Sequence, residues 1–228
     1  MNGFVIAPAP VVAVPVSGGG LFPVRRVYCV GRNYAEHARE MGHDPKAEPP
    51  FFFGKPADAL VLDGADTPYP PGTTDLHHEI ELVAAIGREA TAVSPEQALD
   101  CVWGYATGID MTRRDLQAWA KKAGKPWDMA KGFDHSAPIG EIVPVSVIGH
   151  QKSAVISLSV NGTMRQTGDV ADMIFSVAEA IAELSKLVSL RPGDLLFTGT
   201  PAGVAAVVRG DVLAGAVAGV GIVTTRIV

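Results

Sequence analysis

Apolar and polar positions change their period several times along the chain, and each change marks an element. VYCV (27–30) is a short apolar run closed by Gly31 and reads as a buried strand. Asn33 then stands at a helix N-cap position with Glu36 three residues on, which predicts a short helix from about Tyr34 to Met41. In EIELVAAIG (79–87) the first half alternates and predicts a strand, and YATGID (105–110) predicts another. SPEQALDCV (94–102) opens in the manner of a capped helix, and TRRDLQAWAKKAG (112–124) is helical up to Gly124. AVISLSVNG (154–162), closed by Asn-Gly and followed by TMRQTG, predicts a hairpin. Residues 170–188, alanine-rich with apolar positions at helical spacing, predict one long helix. LRPGDLLFTGTPAGV (190–204) sets a turn, a strand and a glycine-rich loop in sequence, and 211–228 reads as strands closing a sheet.

Between these elements, glycine and proline divide the chain. Residues 1–16 read as an extended, proline-kinked arm and SGGG (17–20) as a joint, leaving one catalytic-size domain over 21–228. The stretch from Gly42 to Gly72, broken by FFF at 51–53, reads as loops around one or two short strands, a candidate lid or pocket wall. The 25 glycines and 17 prolines are scattered without a period, which favours a β-rich α+β fold with many turns. A chain of 228 residues that is 47% hydrophobic can bury one sizeable core.

A net charge of −5 argues against a nucleic-acid surface, while the pairs Arg25–Arg26 and Arg113–Arg114 leave room for a small anionic ligand. Cys29 and Cys101 lie far apart in apolar runs and read as buried free thiols in a reducing cytoplasm. The apolar segment 4–16 lacks a basic flank and carries three prolines, so it is not read as a targeting signal, and no run is long enough to predict a membrane span.

The candidate chemistry is acidic. Glu79 and Glu81 leave the same face of a strand, and Asp110 ends the next one. Paired carboxylates suit a hard divalent cation; equally, they could be a solvated strand face, with Asp110 capping the following helix. His77 shares the parity of the glutamates, but with His78 it is read as structural or as support behind a site. His37 and Glu40, three apart on the predicted helix, could form a carboxylate-oriented general base or an ordinary surface ion pair. Lys131, Gln117, Arg114 and Lys55 could bind carboxylate or keto oxygens, and the turn Gly199–Pro201 could cradle an anion through its amides and the Thr200 hydroxyl.

Taken together, VYCVGRNYAEHARE (27–40), LHHEIELVAAIG (76–87), GYATGIDMTRRDLQ (104–117), WDMAKGFD (127–134) and RPGDLLFTGTPAGV (191–204) resemble the fumarylacetoacetate hydrolase family, in its order and over about residues 24–228. The FPVRRVYCVGRNY opening and the short chain are closest to its acylpyruvase and fumarylpyruvate hydrolase branch. The resemblance implies a mixed, rolled β-sheet with short helices, a homodimer, and Mg²⁺ or Mn²⁺ held by Glu79, Glu81 and Asp110. It makes His37 with Glu40 the water-activating dyad and Lys131 the oxyanion donor, with Arg32, Arg114, Gln117 and Thr200 around the pyruvoyl part of a small anionic keto acid. The implied reaction is carbon–carbon hydrolysis of an acylpyruvate, foremost fumarylpyruvate. Decarboxylation of a β-keto acid such as oxaloacetate, isomerisation or hydration are the alternatives within the family, and a cation-dependent binding module is the alternative outside enzymes. A dianionic fumarylpyruvate needs a cation at the far end of the pocket, for which Arg25, Arg26 and Lys55 are candidates. One departure is Ala205, where relatives tend to carry the last glycine of GTPxGVG, which restricts the loop if φ there must be positive.

Overall fold

The computed structural model describes residues 3–36 and 49–228. Its frame is a mixed, curled eight-stranded sheet. The strands run in the order Phe51–Lys55, Arg26–Gly31, Asp194–Phe197, Ile80–Ile86, Val102–Ile109, Ala137–Ile139 and Leu60–Leu62, with Val143–Pro144 pairing beside Val102–Ile109. Asp194–Phe197 is parallel to Arg26–Gly31 and antiparallel to Ile80–Ile86, which is how the sheet comes to be mixed. A four-stranded antiparallel sheet of Thr163–Asp169, Val155–Val160, Val212–Val217 and Gly221–Arg226 packs against it. Ala205–Val207, Leu76–His78 and Thr112–Arg113 form a small third sheet. The α+β, rolled-sheet expectation holds. Among the described residues no helix is long and apolar enough to cross a membrane.

All seven residues of Ile80–Ile86 are buried, because both faces of the strand are covered. Ile80, Leu82, Ala84 and Ile86 pack with Ile156, Leu158 and Leu213 of the four-stranded sheet and with Ile181 and Leu184 of the helix Val177–Leu187. Val83 and Ala85 face the other way, onto Cys29, Leu195 and Phe197 together with Val14 and Phe22. Each such side chain withdrawn from water is worth about 1.5–3 kcal/mol, so this strand is an anchor for whatever its ends carry.

Three local expectations are corrected. Residues 17–20 are not a joint: Ala13–Pro15 pairs antiparallel with Leu21–Pro23, Ser17–Gly20 makes the turn between them, and burial of Val14 ties this hairpin to the core. The helix expected over 170–188 starts only at Val177, after a short 3-10 turn at Val170–Asp172. Ser176 and Glu179 form a capping box there, and the preceding peptide groups of Phe175 are held by the Asn33 side chain instead of a helix. SPEQALDCV gives one helical turn, Pro95–Ala98, followed by a 3-10 turn. The Asn-Gly hairpin stands as expected, with Asn161 and Gly162 both at positive φ. Cys29 and Cys101 are buried free thiols.

Candidate active site

At one end of the main sheet the backbone brings three acids together. Ile80 pairs with Ile109 across the ladder, and the Asp110 N–H donates to the Glu79 carbonyl at 2.8 Å, so Glu79, Glu81 and Asp110 stand side by side on one face. A ligand oxygen from each lies within 4.8 Å of the others. The solvated-face alternative fails, since Glu81 is 1% exposed and Asp110 0%.

Burying three carboxylates is costly unless cations answer them, and three do. Lys131, on the short helix Asp128–Lys131, donates to Glu79 Oε2 at 2.7 Å, to Asp110 Oδ2 at 2.6 Å and to Thr112 Oγ1 at 2.6 Å. Lys55 Nζ lies 2.8 Å from Asp110 Oδ1 and also donates to the Lys131 carbonyl. Arg114 Nη2 donates to Glu79 Oε1 at 2.5 Å. Burial pulls the Lys131 pKa down, but Asp110 and Glu79 outweigh it and hold the ammonium above its ordinary value. Glu81 goes the other way: burial, then the neighbouring charges of Asp110 and Glu79, push its carboxyl well above the usual range. Its strongest support is the Gly199 N–H, donated to Oε2 at 2.7 Å.

That amide is aimed by a backbone only glycine tolerates. Gly199 has φ +96°, and a Cβ there would meet Asn33 Cβ at 2.6 Å. Asn33, expected as an N-cap, clamps the loop by donating to the carbonyls of Thr198 and Phe175. Gln166 braces it from the hairpin: its amide nitrogen donates to Thr200 Oγ1 at 2.8 Å, and its carbonyl accepts from the Ile80 N–H and pairs with His78 Nδ1. His78 is thus a structural residue, as expected, while His77 pairs with Asp75. Ala205 is not at positive φ and lies in the strand Ala205–Val207, so its lost glycine leaves the loop intact.

Glu79 and Glu81 form the floor of a narrow cleft, partly open to solvent, that is also lined by Arg114, Gln117 and Lys121 and by Arg32, Phe53 and Trp127. Arg114, Gln117, Lys131, Arg32 and Thr200 are all on the lining of this cleft. Arg25 and Arg26 are not. They sit at the start of Arg26–Gly31, whose far end, Gly31, reaches the cleft, and Arg25 is committed to Asp194 at 2.9 Å. Lys55 is beneath the floor, on Asp110. His37 and Glu40 lie outside the described residues.

Residues 26–228 match the family described as Fumarylacetoacetate (FAA) hydrolase C-terminal. The chain belongs to the fumarylacetoacetate hydrolase family. It is 53% identical to fumarylpyruvate hydrolase from Pseudomonas aeruginosa, whose crystal structure in complex with Mn²⁺ and pyruvate superposes with a TM-score of 0.97 over 99% of both chains. A fumarylpyruvate hydrolase from Ralstonia sp is 46% identical over 78% of this chain and 92% of its own. The mitochondrial oxaloacetate tautomerase FAHD1 of Bos taurus is 42% identical over 86% of this chain and 88% of its own. Family membership makes the protein an enzyme, and the donor set fits the divalent cation: hard oxygen ligands that are buried and converge to within 4.8 Å of one another.

Proposed function

We propose that this enzyme hydrolyses an acylpyruvate, with fumarylpyruvate giving fumarate and pyruvate as the main reaction, and that Glu79, Glu81 and Asp110 hold Mg²⁺ or Mn²⁺. The observation that carries the reading is the convergence of these three buried acids beneath a cleft whose walls are cationic. A bound cation would supply Lewis acidity to the dicarbonyl oxygens.

The chain's own residues do the rest. Arg114, fixed by Glu79 and bonded to Gln117 Oε1 at 2.5 Å, and Gln117, whose amide NH₂ is left to donate, grip the pyruvoyl carboxylate. Thr200, held by Gln166, adds a hydroxyl. Lys131, its three N–H bonds given to Glu79, Asp110 and Thr112, supplies positive charge beneath the oxygen that becomes negative when water adds to the acyl carbon. In this proposal His37, oriented by Glu40, takes the proton from that water; the dyad rests on the resemblance. Collapse breaks the carbon–carbon bond, fumarate leaves with the water oxygen, and the pyruvate enolate takes up a proton at carbon. A homodimer and a cytoplasmic setting belong to the same proposal, the latter supported by the two free thiols.

The FAHD1 relatives support a second reading, in which oxaloacetate is the substrate and no acyl bond is cut. Following the near-ultraviolet enol absorbance of fumarylpyruvate, acetylpyruvate and oxaloacetate with Mn²⁺ or EDTA, alongside a pyruvate assay, separates the two. Cation-dependent loss of fumarylpyruvate with equimolar pyruvate supports hydrolysis; reaction of oxaloacetate alone replaces it.

A further inference from the structure

Of the floor acids, Glu79 and Asp110 are paired with Lys55, Lys131 and Arg114, yet the cleft carries two more cations, Arg32 and Lys121. Neither has a carboxylate partner among the described residues. Arg114, Gln117 and Lys121 follow each other at i, i+3 and i+7 on the helix Arg114–Ala123, which puts all three on the cleft wall. Seven residues of helix advance about 10 Å, so Lys121 stands roughly two turns outward from the guanidinium that touches Glu79. Arg32 closes the other side, its guanidinium 5.8 Å from the Trp127 ring centroid and 5.9 Å from that of Phe51, and the backbone is held at φ +59° to place it there.

From this geometry we infer that Lys121, with Arg32, forms a second anion subsite at the outer end of the cleft, so that the site is built for an acylpyruvate with a carboxylate at each end. The inference deepens the hydrolase reading and rests on it. Arg32 is then assigned to the acyl end, away from the pyruvoyl group. Lys121 is half-buried, and desolvation followed by the nearby Arg32 and Arg114 lowers its pKa, the signature of a cation facing other cations with no anion between them. A distal carboxylate would relieve that repulsion. Phe53 and Trp127, their ring centroids 6.1 Å apart, also line the cleft and suit a flat, unsaturated acyl chain.

The test is a comparison of fumarylpyruvate with acetylpyruvate, which shares the pyruvoyl head and lacks the distal carboxylate, on wild type, Lys121→Gln and Lys121→Arg. Lys121→Gln is expected to lower kcat/KM for fumarylpyruvate about 10- to 100-fold, mainly through KM, and to leave acetylpyruvate within about twofold; Lys121→Arg recovers most of the loss. Equal losses on both acids, or none on either, overturn the subsite. If wild type cleaves neither acid, the hydrolase reading fails by itself. The subsite is then judged by the affinities of the Mn²⁺-loaded proteins for the same two acids, where Lys121→Gln must weaken fumarylpyruvate alone.

Discussion

The Lys131 ammonium lies 2.6 Å from Asp110 Oδ2, with both side chains shut off from solvent. Because the same ammonium also answers Glu79, it holds the acids together before any divalent cation binds. Replacing it leaves buried negative charge unpaired, which costs about 3–5 kcal/mol. Lys131→Met should therefore lower Tm steeply in EDTA and regain much of the loss with Mn²⁺, while losing turnover. Differential scanning calorimetry with and without Mn²⁺ reads this; a Tm unchanged in EDTA contradicts it.

Glu81 gives the opposite expectation. Its carboxyl is pushed well above the usual range by burial and by Asp110 and Glu79, so removing its charge relieves a repulsion. Glu81→Gln should then be at least as stable as wild type in EDTA, yet show little of the Tm rise that Mn²⁺ gives wild type. A full Mn²⁺ response in this variant would remove Glu81 from the ligand set.

Gly199→Ala strains a backbone at φ +96° and drives a Cβ into Asn33. The expected cost is about 1–3 kcal/mol in urea unfolding, with a larger proportional loss of kcat because the amide bonded to Glu81 moves.

Asp115 ties the start of the Arg114–Ala123 helix to the loop before it, accepting from Thr73 Oγ1 at 2.6 Å and the Thr74 N–H at 3.1 Å. Partial burial raises its pKa, but these bonds outweigh it and the value ends below the ordinary one. A depressed folded-state pKa stabilises above the unfolded value, near 4, and that contribution disappears as pH falls through the folded value. Asp115→Ala should cost about 1 kcal/mol at pH 7, and the gap to wild type should narrow below about pH 4, as measured by urea midpoints across pH. A gap that widens with acid contradicts the sign.

Glu79, Glu81 and Asp110 were legible because strand parity and a strand end place them, and these are local rules. What surrounds them was not, because it arrives from distant chain. Gln166 reaches His78 across 88 residues, and Asn33 holds Phe175 across 142. The second contact also explains the shortened helix, since local spacing at 170–176 looked helical while a remote side chain took the peptide groups. Lys121 escaped notice because a lysine on an amphipathic helix is ordinarily a surface residue, and only the packing of Arg32 opposite it shows a cleft wall. Lys55 escaped as a floor residue for the converse reason, since nothing in FFFGKP signals that its ammonium is buried on Asp110.

Cation-dependent hydrolysis of the carbon–carbon bond is read by turnover of fumarylpyruvate in ¹⁸O-water with Mn²⁺ or EDTA. Equimolar pyruvate and fumarate, a single solvent oxygen in each fumarate formed, and no reaction in EDTA are expected. Consumption without solvent oxygen in fumarate, or equal rates in EDTA, would contradict it.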